Sequence, residues 1–184
     1  MGRKLILGGL LGAAAVVAVL FQAGDARATP SSGFTATTLA KGQFGDIEVF
    51  NHLVFAAARN GHRQNEDRGR GRDLWLSWQR TKGASDLYVQ NNVWQPGGST
   101  GWHTHPGHSL IVVTGGTLTV YEGNDPDCKP EVYTAGMGFV DPGGDHVHLI
   151  RNEGAEPAST VAVQLIPAGA TRRIDAADPG HCSF

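Results

Sequence analysis

Five of the eight histidines fall in two short bursts, Trp102-His103-Thr104-His105-Pro106-Gly107-His108 and Asp145-His146-Val147-His148, about forty residues apart. A Pro-Gly turn opens each burst, at Pro96-Gly97 and at Pro142-Gly143. Side chains alternate faces along a β-strand, so His103 and His105 are expected to point one way, and so are His146 and His148. Two such strands at close quarters aim several imidazoles at one point. Neutral imidazole is the commonest side-chain ligand for mid and late first-row transition metals, so the chemistry expected here is that of a bound metal. No carboxylate pair, Ser-His-Asp arrangement or evident general base lies near the bursts, which disfavours metal-free hydrolysis.

The elements that must hold these side chains read as strands. The 26 glycines and 9 prolines would break most helical periods. Strands are expected at 46–50, at 73–79, where Leu74, Leu76 and Trp78 alternate with Asp73, Trp75 and Ser77, and at 86–94 after a Lys82-Gly83 turn. Further strands are expected at 110–113, at 117–121 after the Gly115-Gly116 turn, and at 132–133, 138–140, 146–150 and 160–166. A short helix is expected only at 52–58. Strands at this spacing, without βαβ alternation, predict an all-β antiparallel sandwich or barrel. The charged stretch 59–72, with its Arg-Gly-Arg-Gly-Arg run, reads as a solvated loop able to shape a binding mouth.

Residues 1–28 read as an export signal, with a basic start at Arg3 and Lys4, an apolar run over 5–21 and an A-x-A exit at Ala26-Arg27-Ala28. The protein is therefore expected to be periplasmic or secreted, with no stable membrane association after cleavage. Cleavage removes Arg3, Lys4, Arg27 and Asp25 from 15 basic and 17 acidic residues, leaving 12 against 16 and a net charge of about −4. A mildly acidic chain gives no reason to expect nucleic acid as a partner. Cys128 and Cys182 are the only cysteines. An even count in an exported chain favours one disulfide between them, and neither cysteine neighbours the histidine bursts as a thiolate ligand would.

The spacing carries a resemblance. Gly97, His103, His105, Ser109 and Gly116 follow the pattern G-x5-H-x-H-x3-E-x6-G, and Gly136, Pro142, Gly144, His148 and Asn152 follow G-x5-P-x-G-x2-H-x3-N with one residue added before the histidine. These are the two motifs of the cupin family, and the chain is similar to small exported bacterial single-domain cupins of unassigned activity. The resemblance implies a jelly-roll barrel of six to eight strands with the motif histidines facing its interior. It implies a layout of signal peptide at 1–28, N-terminal strands and charged loop at 29–81, core barrel at 82–168 and tail at 169–184.

The resemblance carries His103, His105 and His148 over as metal ligands. The motif glutamate is Ser109 here, so the anionic ligand is missing. The fourth place is open to His146, His108, Ser109 or water, with His146 added to the expected ligand set. An added residue before His148 predicts a bulge that re-aims His146. Asp145, Asp141 and Gln164 are candidates to hold imidazole tautomers from outside the ligand set. His52, His62 and His181 are expected at the surface, and Tyr88, Trp94 and Trp102 either pack the barrel or wall its cavity. Three-histidine cupin sites resemble those of thiol and diketone dioxygenases, which use non-haem iron. Iron, manganese, nickel, copper and zinc all suit the ligands. The expected partner is a small-molecule substrate or ligand, and pairing of edge strands leaves a homodimer open. Two function classes follow: a metal-dependent, dioxygenase-like oxidoreductase, or a non-enzymatic module that binds a small ligand or metal.

Overall fold

The computed structural model describes residues 28–56 and 72–184. The expected export signal and most of the charged loop lie outside the described residues. Every regular element described is a strand.

The longest, β4 (Ser85–Ser99), organises one side of the barrel. It pairs antiparallel with β1 (Ser32–Phe44) on one edge and with β11 (Ala158–Pro167) on the other. β11 then pairs with β6 (Ser109–Gly115), and β6 with β9 (Gly138–Asp141). Opposite them lie β7 (Thr117–Glu122), paired with β8 (Glu131–Thr134) and β10 (His148–Arg151), and β10 also meets the two-residue β5 (His103–Thr104). β12 (Ile174–Asp175) closes that edge against β5.

Period-two alternation sets what faces inward. On β4 the inward set is Gln90, Asn92 and Trp94; on β11 it is Ala158, Thr160, Ala162 and Gln164; on β6 it is Ser109, Ile111 and Val113. One end of the barrel is thus apolar: Trp94, Val113, Leu118, Val120, Ile150 and Ala158 form a buried core. Each of the valine, leucine and isoleucine side chains removed from water stabilises the fold by about 1.5–3 kcal/mol. The other end is lined by amides and hydroxyls, which leaves it suited to a polar ligand.

A second apolar cluster, Trp102, Tyr121 and Leu149, lies under the C-terminal tail. Cys128 and Cys182 form the expected disulfide beside it, tying the tail to the β7–β8 connection.

Several expectations change. The first strand is β1, which spacing alone had missed because its alternation is of Thr, Ala, Lys and Gly, and nearly all of it is exposed. The helix expected at 52–58 is, through Ala56, the end of strand β2 (Ile47–Ala56); positions 57 and 58 lie outside the described residues. Its aromatic and β-branched residues pair with β3 (Arg72–Thr81), and that ladder overrides the short apolar run. Arg72, expected in the loop, opens β3. The strand expected at 146–150 begins only at His148, because the added residue is spent in the turn that holds His146.

Candidate metal centre

Two turns bring the motifs together. The His146 N–H donates to Gly143 O (3.2 Å), closing the turn ahead of β10. That turn docks onto the first burst: Gly144 N–H donates to His105 O (2.7 Å), and Thr104 Oγ1 donates to Gly144 O (2.7 Å). Gly143 has φ of 68°, and a Cβ there would run into the carbonyl of Gly107, so the close approach of the turns requires glycine.

His103 and His148 are direct cross-strand partners of β5 and β10. Their rings lie 4.4 Å apart, with His105 4.9 Å from His103 and 5.8 Å from His148. One ring nitrogen from each of the three lies within 4.8 Å of the others. β5 ends at Thr104, so His105 reaches the cluster from the following turn rather than by strand alternation.

Carbonyls fix two of the tautomers. His103 Nδ1 donates to Gly101 O at 2.9 Å and His105 Nδ1 to Arg172 O at 2.5 Å; a carbonyl only accepts, so each neutral ring keeps its lone pair on Nε2. His148 Nδ1 is buried and has no partner among the described residues.

Burial is the main force on all three. His103 and His148 are 4% and 2% exposed. Burial, followed by repulsion from His148 and Arg173, holds His103 well below the usual imidazole range. Burial lowers His105, against a smaller upward pull from its bond to the Arg172 carbonyl. Burial pushes His148 down to about 4, partly offset by Asp141. Three neutral imidazoles with convergent lone pairs are the donor set of a transition-metal site. The residues present fit a metal, since one ring nitrogen from each lies within 4.8 Å of the others and the neutral imidazoles of His103 and His105 keep a free lone pair.

His146 does not join His103 and His105. It falls in a second group, with Asp141 and His148, and its Nε2 pairs with Glu122 at 2.5 Å. Asp141 is buried on β9, its Oδ2 3.5 Å from His105 Nε2 and its Oδ1 3.7 Å from His148 Nδ1. Gln164 bonds Ser109 Oγ at 3.4 Å and no histidine. His108 is only partly buried and belongs to neither group.

The three histidines line a cavity of about 90 Å³. That is the space of a few water molecules, or of a ligand with a handful of heavy atoms. Trp94 walls the cavity, whereas Trp102 packs outside it under the tail. Trp94 Nε1 and Gln164 Oε1 are buried without partners, a donor and an acceptor left for an occupant. Arg172 and Arg173 also line it. They were missed in the sequence because they follow the last long strand and sit in what reads as a tail; adjacent arginines after the Pro167 turn are the one local signal.

Residues 93–164 match the family model described as a cupin domain, the segment that holds both motifs. Over that segment the barrel strands and the motif histidines are similar to those of a cupin domain. No curated protein matches it. Among solved structures, an uncharacterised conserved protein with a double-stranded β-helix domain from Klebsiella pneumoniae is 27% identical, over 50% of this chain and 74% of its own, with a TM-score of 0.40. An oxalate oxidase is 26% identical over 45% of this chain, with a TM-score of 0.38, and the match spans 46% of its length. A conserved protein of unknown function from Streptococcus pyogenes is 19% identical over 45% of this chain and 67% of its own, with a TM-score of 0.38.

Proposed function

We propose that the protein is an exported metal-binding cupin that acts on a small substrate as a dioxygenase-like oxidoreductase. The observation that carries this reading is the convergence of three neutral imidazoles, His103 and His148 buried and His105 half-buried, on a cavity of about 90 Å³. A divalent transition metal held there would supply Lewis acidity and open coordination positions, and iron, manganese, nickel, copper and zinc all suit the ligands. The chain's own groups then do the positioning. Trp94 Nε1–H offers a donor and Gln164 Oε1 an acceptor to a bound molecule, while Ile111, Ile150 and Ala162 supply apolar wall.

Element analysis of protein purified without chelator or added metal tests the metal, alongside His103→Ala and His148→Ala. Oxygen uptake across small thiols, diketones and phenols tests the reaction. Stoichiometric metal without oxygen uptake would favour the second reading, a non-enzymatic binder, which the unpartnered Trp94 and Gln164 atoms also support.

Export is proposed on the leader-like 1–28 and the disulfide. A homodimer is proposed on the β2–β3 ribbon. Phe50, Val54, Leu74, Leu76 and Trp78 share one face of it by register, with Phe50 64% and Trp78 70% exposed. A two-stranded ribbon is marginal alone, and an apolar face of this kind is stabilised by a partner. Sedimentation of wild type against Trp78→Ser tests this, a monomeric wild type being the outcome against it.

A further inference from the structure

We infer that the cavity receives a small carboxylate anion and that the Arg172 guanidinium binds its charged end. This rests on the reading of the cavity above as a small-molecule site, and not on the metal.

Arg172 and Arg173 follow β11, and both are half-buried and line the cavity. Their charges are met differently. Arg173 Nε donates to Asp175 Oδ1 at 2.5 Å and its Nη2 to Thr100 O at 2.7 Å, so a carboxylate already neutralises it. Arg172 has no carboxylate of the described residues within salt-bridge reach. Neutral groups hold it instead. Its Nη1 donates to Thr38 Oγ1 at 3.1 Å, and the Gln90 amide oxygen, turned toward the guanidinium, accepts from Nη1 at 2.7 Å and Nη2 at 2.5 Å. The guanidinium carbon lies 4.9 Å from the centre of the Tyr88 ring.

Thr38 and Gln90 are strand partners on β1 and β4, and Tyr88 stands two residues from Gln90, so the three present one face. Gln90 lines the cavity, and a guanidinium seated on its amide therefore stands at the cavity's polar end.

Charge and bonding capacity define what fits. Among the described residues no aspartate or glutamate lines the cavity; Asp141, which accepts from Ser109, is not part of its wall. The Arg172 charge thus has no counterpart there. A planar guanidinium fork matches a carboxylate, and the bond is charge-assisted. With Arg173 taken by Asp175, a single free cation suits a monoanion better than a phosphate dianion. Ile111, Ile150 and Ala162 suit a short carbon chain, and a volume of about 90 Å³ limits it to a few atoms. Gln164 Oε1, buried without a partner, accepts from a hydroxyl on that chain.

Ligand-observed NMR titration of the metal-free protein tests this with shape-matched pairs that differ in charge: acetate and acetamide, propionate and propionamide, lactate and lactamide, with inorganic phosphate alongside. At least one carboxylate should bind about 10–100-fold more tightly than its amide, the range of a hydrogen-bonded charge pair. Arg172→Met and Arg172→Gln each bring that pair within about three-fold by weakening the carboxylate and not the amide. Arg173→Gln keeps the preference. Equal binding within every pair, a preference that survives both Arg172 variants, an equal loss in Arg173→Gln, or phosphate bound more tightly than any carboxylate overturns the assignment. A Co(II) titration separates it from the metal: Co(II) bound without carboxylate preference sinks Arg172 alone, whereas preference in a chain that takes up no Co(II) upholds Arg172 and removes the metal. Binding of neither member of any pair overturns the assignment together with the small-molecule site.

Discussion

His103 and His148 come from motifs 45 positions apart and stand opposite each other as strand partners, with ring centroids 4.4 Å apart. Both rings are almost wholly buried, so protonating either carries a desolvation cost.

This sets a pH dependence. In the folded metal-free protein His103, His105 and His148 bind protons less readily than in the unfolded chain, His148 only near pH 4. Between about pH 6.5 and 4 the unfolded state therefore holds more protons, and stability falls as pH falls. Melting temperature of the chelator-treated protein is expected to be level above about pH 7 and to drop by several degrees toward pH 5. A flat profile over that interval would sink the account of these histidines as buried and neutral.

Metal and stability are linked. Free metal at about 100 times its dissociation constant adds about 2.7 kcal/mol, or roughly 5–10 °C in a domain of this size. Differential scanning fluorimetry should record that rise for wild type and lose it in His103→Ala. An equal rise in the variant would place the ion elsewhere.

Two neighbouring glycines separate docking from turn conformation. Gly143 and Gly144 have φ of 68° and 65°, but only Gly143 has a backbone atom where a Cβ would go. Gly144→Ala costs about 1 kcal/mol from backbone strain, and Gly143→Ala on the order of 3 kcal/mol because the two motif turns must part. Urea titration gives both numbers, and Co(II) affinity should fall only in Gly143→Ala. Equal costs would mean the turns do not depend on that contact.

The Cys128–Cys182 bridge closes a loop across a separation of 54 residues. In the chain-entropy picture that is worth about 4 kcal/mol. Cys128→Ser/Cys182→Ser should lower the denaturant midpoint accordingly and red-shift Trp102, which packs in the cluster touching both cysteines. A double variant as stable as wild type would show that the tail is held by Trp102, Tyr121 and Leu149 without the bridge.

Much of the barrel was legible because its signals are local. A continuous apolar run marked β6, alternation of Leu118 and Val120 with threonines marked β7, and the Gly115-Gly116 turn marked the junction between them. β1 was illegible, since its Thr, Ala and Lys residues bury little and only pairing with β4 makes it a strand. β5 and β12 are two residues each, too short for any period to register. The three clustered histidines were legible as motif positions, but the tautomers were not, because they depend on the carbonyls of Gly101 and Arg172, the latter 67 residues from its histidine.

By itself the sequence determined the fold class, the three imidazoles and the gap at Ser109, because spacing and residue type are properties of the chain. Only the tertiary structure decided what surrounds that position. Ladder register is a long-range property, and it sets Asp141 opposite Ser109 and draws His146 toward Glu122 instead of toward His103 and His105.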